Sequence, residues 1–325
     1  MASWPSGNRL RRAALIALVM VSVAAPVSGA ARPADVPAPV PATSGSVPVA
    51  SAQALSERYA ATRADLGAAE RAATAHGDGK RAAALREFRA PGRQVLTFDG
   101  RDGGRVVEVF GDLSTADTIA VMVPGAGISV DNYWRLRSGS TSLQRASGDR
   151  TAVVAWLGYQ TPTTVSLASV TSGRAEEAAS GLTSFLRGLG ASKPAARTTL
   201  VCHSYGSVVC ARAASGAQVA DIVLYGSPGT GFDDAAGLHT GAAVWAGRGS
   251  TDWIRNVPHY KVGLGPLAVG FGTDPIAPEF GARIFDAGDS GHSDYLKPRS
   301  PSLRNIARIV TGQPAPDKHP GGNGA

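Results

Sequence analysis

Short apolar runs alternate with longer amphipathic segments through most of the chain. After Pro91, two such runs joined by the Asp-Gly-rich turn from Asp99 to Gly104 predict a β-hairpin. The later runs are apolar along nearly their whole length, which is typical of parallel strands covered on both faces. The predicted strands are Val95–Phe98, Arg105–Phe110, Ile119–Val123, Ala152–Trp156, Thr199–His203, Ile222–Tyr225, Ala243–Ala246 and Arg283–Asp286.

Segments with helical periodicity separate most of these strands. The clearest are Ala175–Leu189, Tyr205–Ala214 and Pro301–Val310. In the last of them, Ser300 is a predicted N-cap, and the predicted buried stripe is Leu303, Ile306, Ala307 and Val310. A hairpin that leads into repeated strand–helix units predicts an α/β fold, with a mostly parallel central sheet covered by helices.

An Ala-rich amphipathic segment precedes the hairpin. It runs from Ala52 to His76, stops at Gly77, and resumes around Leu85 and Phe88. We therefore predict a small helical prefix over residues 51–92, a main domain over 93–312 and a disordered tail over 313–325.

The amino terminus has the pattern of a signal peptide. Arginines precede an apolar run from Ala13 to Ala25, and small residues end at Ala30. This run is shorter than the roughly 20 residues that a membrane span needs. We expect cleavage after residue 30, a Pro-rich linker over 31–50, export to the cell envelope or medium, and no stable membrane span in the mature protein.

Composition and charge exclude several classes of protein. The chain is 43% hydrophobic and 18% charged, which is too apolar for a disordered chain, and its 40 glycines follow no collagen-like period. Loss of Arg9, Arg11 and Arg12 with the signal peptide lowers the net charge from +7 to +4. Because no later stretch gathers basic residues around aromatic positions, nucleic-acid binding is not expected.

The candidate nucleophile is Ser204, in the sequence Cys202-His203-Ser204-Tyr205-Gly206. This sequence lies between a predicted strand and a predicted helix. A serine in such a tight turn presents its hydroxyl at the carboxyl edge of the sheet. The context predicts a nucleophile elbow.

A serine hydroxyl needs a base, and chain order selects His292. In this architecture the base lies after the last strand, and His292 follows the strand that ends at Asp286. His259 is the one rival. The other histidines are expected to have no catalytic role: His203 on the far side of the turn, His239 ahead of any acid, and His76 and His319 in appendages.

The carboxylate that orients the base is expected after the penultimate strand. Asp252 lies there, and Asp274 is the competitor. Only eight residues separate Asp274 from the last strand, too few for the helix that normally intervenes, so the spacing favours Asp252.

Two backbone N–H groups are needed to hold the oxyanion of an acyl-transfer intermediate. The Gly-rich loop after the strand Ile119–Val123 offers Ala126, or as a less favoured alternative Gly127. Tyr205, at the start of the elbow helix, offers the second donor.

Together these segments resemble an uncharacterised family of α/β-hydrolases common in actinomycetes. The matching segments are Val123–Gly127, Cys202–Cys210, Asp252–Arg255, Gly272–Pro275 and Phe280–Ala282, and the resemblance extends from Leu55 to Thr311. It implies the α/β-hydrolase fold and a serine triad of Ser204, Asp252 and His292. Cys202 stands where the superfamily usually has glycine.

These features predict a secreted serine hydrolase that cleaves small-molecule or lipid carboxylic esters without a metal or organic cofactor. A peptidase, an acyltransferase and a non-catalytic envelope protein are the alternatives. The short connection from Tyr225 to Ala242 leaves no room for a large cap domain. The apolar segment Gly263–Gly272 is interpreted either as an acyl-pocket wall or as a packed loop.

The two cysteines of the chain lie on either side of the predicted elbow. Cys202 precedes Ser204 by two residues and Cys210 follows it by six, so the two side chains can lie level across the strand–helix contact. Either a disulfide or two inert buried thiols satisfies this spacing.

Overall fold

The computed structural model describes residues 38–42, 51–163, 173–257, 261–264 and 267–313. The described residues belong to one compact unit. The expected signal peptide, most of the expected linker, His259, His319 and residues 314–325 lie outside the described part of the chain.

A central sheet organises the described part of the chain. Its strands and those of a separate hairpin are β1 Gln94–Asp99, β2 Arg105–Phe110, β3 Thr118–Val123, β4 Thr151–Leu157, β5 Arg197–His203, β6 Asp221–Tyr225, β7 Ala243–Gly247, β8 Lys261–Leu264, β9 Leu267–Gly270 and β10 Arg283–Ile284. Among the described residues, eight of these form one sheet in the order β1-β2-β4-β3-β5-β6-β7-β10.

The sheet is antiparallel at one edge and parallel elsewhere. Strand β2 pairs antiparallel with β1 and β4, and all other neighbours pair in parallel. All seven residues of β4 are buried, as its unbroken apolar run indicates. Strand β3 lies beside β5 with Val123 opposite Cys202, so the loops after these two strands meet at one edge of the sheet.

Helices cover both faces of the sheet. Their bounds are α1 Ala52–Ala75, α2 Gly79–Phe88, α3 Trp134–Ser147, α4 Gly173–Ser192, α5 Gly206–Ala213 and α6 Pro301–Val310. Alternate residues of each strand enter different core clusters, so Val121 packs with residues of α4 and α5, whereas Met122 packs with residues of α3 and α6. The Ser300 hydroxyl accepts the Leu303 N–H at 3.1 Å, which confirms the predicted cap of α6.

Helix α3 was not predicted from the sequence. Its sequence is rich in Ser and Arg, and only Leu136, Ser140 and Leu143 are buried. Ser140 satisfies its hydroxyl by donating to the Leu136 carbonyl at 2.8 Å, so a polar residue occupies a core position. A hydrophobic pattern with a serine at its centre gives a weak helix signal.

The apolar segment Gly263–Gly272 differs from the expected loop. It contains most of the antiparallel hairpin β8–β9, with Gly263 opposite Ala268. Phe271, directly after the hairpin, is buried in the core. The side chains of residues 258–270 lie outside the described part, so the expectation of an acyl-pocket wall is untested.

The helical prefix is bonded to the segment that follows the β3 loop. Arg81 of α2 donates from Nη2 to Asp131 at 3.1 Å, and the rings of Phe88 and Tyr133 are 4.7 Å apart. Asp131 and Tyr133 connect the β3 loop to α3. The helical prefix therefore holds the segment that follows the β3 loop.

Candidate active site

The turn between β5 and α5 places Ser204 in the left-handed region of backbone space. Its φ is +52°, a conformation that non-glycine residues adopt at a cost in free energy. A Cβ at Gly206 would lie 2.5 Å from the Val123 carbonyl oxygen, and a Cβ at Gly125 would lie 2.7 Å from Ser204 Cβ. Both glycines are therefore required for the close approach of the β3 loop to the elbow.

Ser204, His292 and Asp252 form one chain of hydrogen bonds. Ser204 Oγ lies 3.0 Å from His292 Nε2. His292 Nδ1 lies 3.0 Å and 3.1 Å from the two carboxylate oxygens of Asp252. With Nδ1–H directed at Asp252, Nε2 is the nitrogen that can accept the Ser204 proton.

Asp252 is fully buried, and three donors hold its carboxylate. Besides His292, the Ile254 N–H donates at 2.9 Å and the Tyr295 hydroxyl donates at 2.6 Å. Burial alone raises the pKa of Asp252, but the hydrogen bonds from His292, Tyr295 and Ile254 outweigh it, and the net effect lowers the pKa. Asp252 is therefore ionised when His292 donates to it.

The competing carboxylate, Asp274, has a different role. It accepts a hydrogen bond from Arg248 Nη1 at 2.6 Å in a largely buried ion pair, and it accepts the Ile276 N–H at 3.2 Å. These bonds tie the loop after β7 to the loop after β9.

The loop after β3 is fixed by several hydrogen bonds. The Tyr159 hydroxyl donates to the Pro124 carbonyl at 2.6 Å, and Asn132 Nδ2 donates to the Gly127 carbonyl at 2.8 Å. The Gly127 N–H donates to the Pro162 carbonyl at 2.7 Å, so it is already occupied. Of the two expected donors in this loop, the geometry favours Ala126.

Helix α5 begins at Gly206, and Tyr205, directly after Ser204, is its N-cap residue. The Tyr205 side chain is fully buried, with its ring centroid 6.5 Å from that of Tyr159. Its backbone N–H thus lies at the start of α5, where the helix dipole favours negative charge.

Comparison with known proteins agrees with this architecture. Residues 99–262, about half of the chain, match a family model described as alpha/beta hydrolase. The chain belongs to the alpha/beta hydrolase family. Its fold is accordingly the α/β-hydrolase fold, with an eight-stranded, mostly parallel sheet in the described residues.

Two curated relatives of this α/β-hydrolase come from Mycobacterium tuberculosis (strain H37Rv), and both are uncharacterized proteins. Rv0963c is 31% identical over 226 residues, which are 61% of this chain and 84% of that protein. Rv2079 is 33% identical over 256 residues, which are 67% of this chain and 38% of that protein. The chain thus spans well under half the length of Rv2079.

Solved structures with a similar architecture include two hydrolases. XC6422 from Xanthomonas campestris, described as a serine hydrolase without a lid, is 17% identical with a TM-score of 0.42, and the match covers 70% of this chain and 98% of that protein. Esterase PE8 is also 17% identical with a TM-score of 0.42, and the match covers 62% of this chain and 97% of that protein.

The expectation that His203 lies away from the site of this α/β-hydrolase is wrong. His203 Nε2 donates to the His292 carbonyl at 2.8 Å, and the two imidazole rings are 4.8 Å apart. Burial lowers the pKa of His203 to about 3, with a further lowering by the neighbouring His292. A neutral His203 thus holds the backbone that carries the candidate base.

Two aromatic residues beside the site, Tyr295 and Trp253, were not predicted as site residues. Tyr295 follows His292 by three residues and donates to Asp252, and burial raises its pKa well above the ordinary value. The Trp253 ring lies 4.6 Å from the His292 ring. Trp253 directly follows Asp252, and Tyr295 follows His292 by three residues, so closeness in sequence to these residues was the signal that could have found them.

The remaining histidines of the described part lie elsewhere. His76 caps the end of α1, and His239 follows the 3₁₀ turn Ala236–Leu238; both are exposed. The rival base His259 lies outside the described residues.

Cys202 and Cys210 are joined by a disulfide, with their Cα atoms 6.5 Å apart. Both residues are fully buried. The bond connects the end of β5 to α5 across the elbow. Of its two cysteines, Cys202 stands where the superfamily usually has glycine.

Within the described residues, no group of three or more His, Cys, Asp or Glu side chains is arranged to hold a metal ion. No helix in that same part of the chain combines the length and apolar character needed to cross a bilayer.

Proposed function

We propose that this α/β-hydrolase is a serine esterase that cleaves carboxylic esters through an acyl-enzyme on Ser204. The observation that carries the proposal is the 3.0 Å approach of His292 Nε2 to Ser204 Oγ, with the ionised Asp252 behind His292. Nucleophile, base and orienting carboxylate are the three groups that acyl transfer to a serine requires.

The reaction proceeds in two acyl transfers. Ser204 Oγ attacks the ester carbonyl carbon while its proton passes to His292 Nε2, and the N–H groups of Ala126 and Tyr205 hold the developing oxyanion. Collapse of the intermediate breaks the bond to the alcohol oxygen, which takes the proton from His292. Water then attacks the acyl carbon while His292 Nε2 takes its proton; the bond to Ser204 Oγ breaks, Ser204 Oγ takes the proton back from His292, and the carboxylic acid leaves.

The connection over the elbow bears on the size of the substrate. The connection between β6 and β7 is about 17 residues long and contains only the 3₁₀ turn Ala236–Leu238. A connection of this length holds no large cap domain. Small-molecule and lipid esters are therefore both proposed as substrates.

We also propose that the protein is exported. The arginine-bearing, apolar amino terminus has the pattern of a signal peptide. The disulfide between Cys202 and Cys210 supports this proposal, because disulfides persist in oxidising compartments.

The test is the hydrolysis of 4-nitrophenyl esters of increasing acyl length by the wild type, Ser204→Ala and Ser250→Ala. Ser250 is an exposed serine near Asp252, so its variant is the matched control. We expect Ser204→Ala to lower kcat by several orders of magnitude and Ser250→Ala to retain activity. Unchanged turnover in Ser204→Ala would contradict the proposal, and turnover of matched amides with none of the esters would indicate a peptidase.

A further inference from the structure

Trp253 combines a fixed backbone with an exposed ring at the candidate base. It opens the 3₁₀ helix Trp253–Asn256, whose first turn is held by the Asp252 carboxylate, which accepts the Ile254 N–H. The Trp253 side chain is 50% exposed, yet its ring centroid lies 4.6 Å from that of His292. A single exposed aromatic residue is ordinary at a protein surface, so exposure alone does not distinguish Trp253. Its position against the ring of the candidate base does.

The chemistry of acyl transfer determines which part of an ester lies near this ring. The alcohol oxygen must come within hydrogen-bonding distance of His292 Nε2 to receive its proton. The carbonyl oxygen is held by the separate donors Ala126 and Tyr205. The substituent on the alcohol oxygen therefore lies beside the His292 ring.

The buried side of His292 is already filled. His203 contacts the His292 ring at 4.8 Å and packs against Tyr225 at 4.9 Å. The His292 side chain is only 13% exposed, so little of it is open to a substrate. Of the rings that contact His292 in the described part, Trp253 is the one open to solvent.

We propose that Trp253 binds the alcohol portion of the substrate and makes this enzyme selective for esters of aromatic alcohols. This inference rests on the proposed esterase function. A flat aromatic group stacks on an indole ring more favourably than an aliphatic group of the same size, by a factor of about 3 to 10 in binding.

The Trp253 ring also contributes to the reverse reaction, in which the acyl group passes from Ser204 to an alcohol. An acceptor alcohol that attacks the acyl-enzyme forms a bond to the acyl carbon while the bond to Ser204 Oγ breaks. Its proton passes to His292 Nε2 and then to Ser204 Oγ. The acceptor occupies the position that the leaving alcohol vacated, so aromatic alcohols are also the preferred acceptors.

The experiment compares two esters of the same acid, one of phenol and one of a fluorinated aliphatic alcohol of similar acidity. The enzymes are the wild type, Trp253→Ala, Trp253→Phe and the control Trp134→Ala. Trp134 is 64% exposed and lies beside Arg135. We expect the ratio of kcat/KM for the phenyl ester to that for the fluoroalkyl ester to fall about 3- to 10-fold in Trp253→Ala. The ratio should be largely kept in Trp253→Phe and unchanged in Trp134→Ala.

A second readout uses the common acyl-enzyme. Benzyl alcohol and cyclohexylmethanol are offered as acceptors, and the ratio of acyl transfer to hydrolysis is measured for each. We expect the preference of the wild type for benzyl alcohol to be lost in Trp253→Ala.

Reactivity with a small alkyl fluorophosphonate separates this inference from the proposed function, because fluoride is its leaving group. Normal labelling with a lowered aromatic preference in Trp253→Ala supports the inference. An equal fall for both esters would overturn it and assign Trp253 to holding His292. Absence of labelling and of ester turnover in the wild type would overturn both proposals.

Discussion

The hydroxyl of Tyr295 donates to Asp252 Oδ2 at 2.6 Å and accepts the Gly249 N–H at 3.0 Å. Asp252 is thereby held from one side by His292 and from another by Tyr295. Because a hydrogen bond to a charged group is worth about 1.5 to 3 kcal/mol, removal of the Tyr295 hydroxyl loosens the carboxylate that orients His292.

We expect Tyr295→Phe to lower kcat on the order of 10-fold with little change in KM, since its effect reaches the substrate only through Asp252 and His292. Tyr225→Phe is the matched control, because the Tyr225 ring packs edge-on against Tyr295 at 5.3 Å. Equal losses of kcat in the two variants would show that the hydroxyl of Tyr295 has no special role.

The choice between the two carboxylates is tested by isosteric substitution. We expect Asp252→Asn to lower kcat on the order of 10⁴-fold, because an amide no longer fixes the productive tautomer of His292. Asp274→Asn breaks the ion pair with Arg248. We expect it to lower the free energy of unfolding and to lower kcat far less than Asp252→Asn does. Steady-state kinetics and urea unfolding of both variants check this, and the reverse pattern would make Asp274 the acid.

The residues that chain order determines were predictable from the sequence. The α/β fold followed from apolar runs and turns. Positions relative to the strands predicted that Ser204, Asp252 and His292 act together, and the structure brings their side chains within hydrogen-bonding distance. The spacing argument favoured Asp252 over Asp274, and the structure adds a physical reason, because Arg248 already binds Asp274.

The residues that depend on side-chain packing were not predictable. His203 was expected on the far side of the turn from the site, but the segment that carries His292 approaches the end of β5 and brings its carbonyl to His203. Helix α3 was missed because a serine lies at the centre of its buried stripe, and the hairpin β8–β9 was missed because glycines interrupt its apolar pattern.

The partly buried, neutral His203 predicts a fold that loses stability in acid. Its pKa is lowered to about 3 in the folded protein, whereas an unfolded histidine has a pKa of about 6.5. Below about pH 6.5 the unfolded chain therefore binds a proton that the native chain does not, and stability falls with pH.

Through His203, we expect the free energy of unfolding to fall by about 1 to 2 kcal/mol between pH 6.5 and 4.5. This fall is smaller than the pKa difference alone would give, because His203 is partly exposed to solvent. His203→Gln should show a shallower pH dependence in urea unfolding, and His239→Gln, at an exposed site, should match the wild type. Parallel pH dependences for all three proteins would contradict the assignment.

The disulfide across the elbow predicts how the protein reacts with an alkylating reagent. Alkylation without a reductant should add nothing to Cys202 and Cys210, and alkylation after reduction and unfolding should add two groups. Reduction should lower the free energy of unfolding by about 2 kcal/mol, because the bond closes a short loop. Two alkylated thiols in the unreduced protein would rule the disulfide out.

The assignment of Ser204 as the nucleophile is tested most directly by covalent labelling with a fluorophosphonate followed by peptide mass mapping. We predict one phosphonyl adduct, on the peptide that contains Ser204, in the wild type and in Ser250→Ala, and no adduct in Ser204→Ala. An adduct mapped to another residue, or undiminished labelling of Ser204→Ala, would contradict the claim.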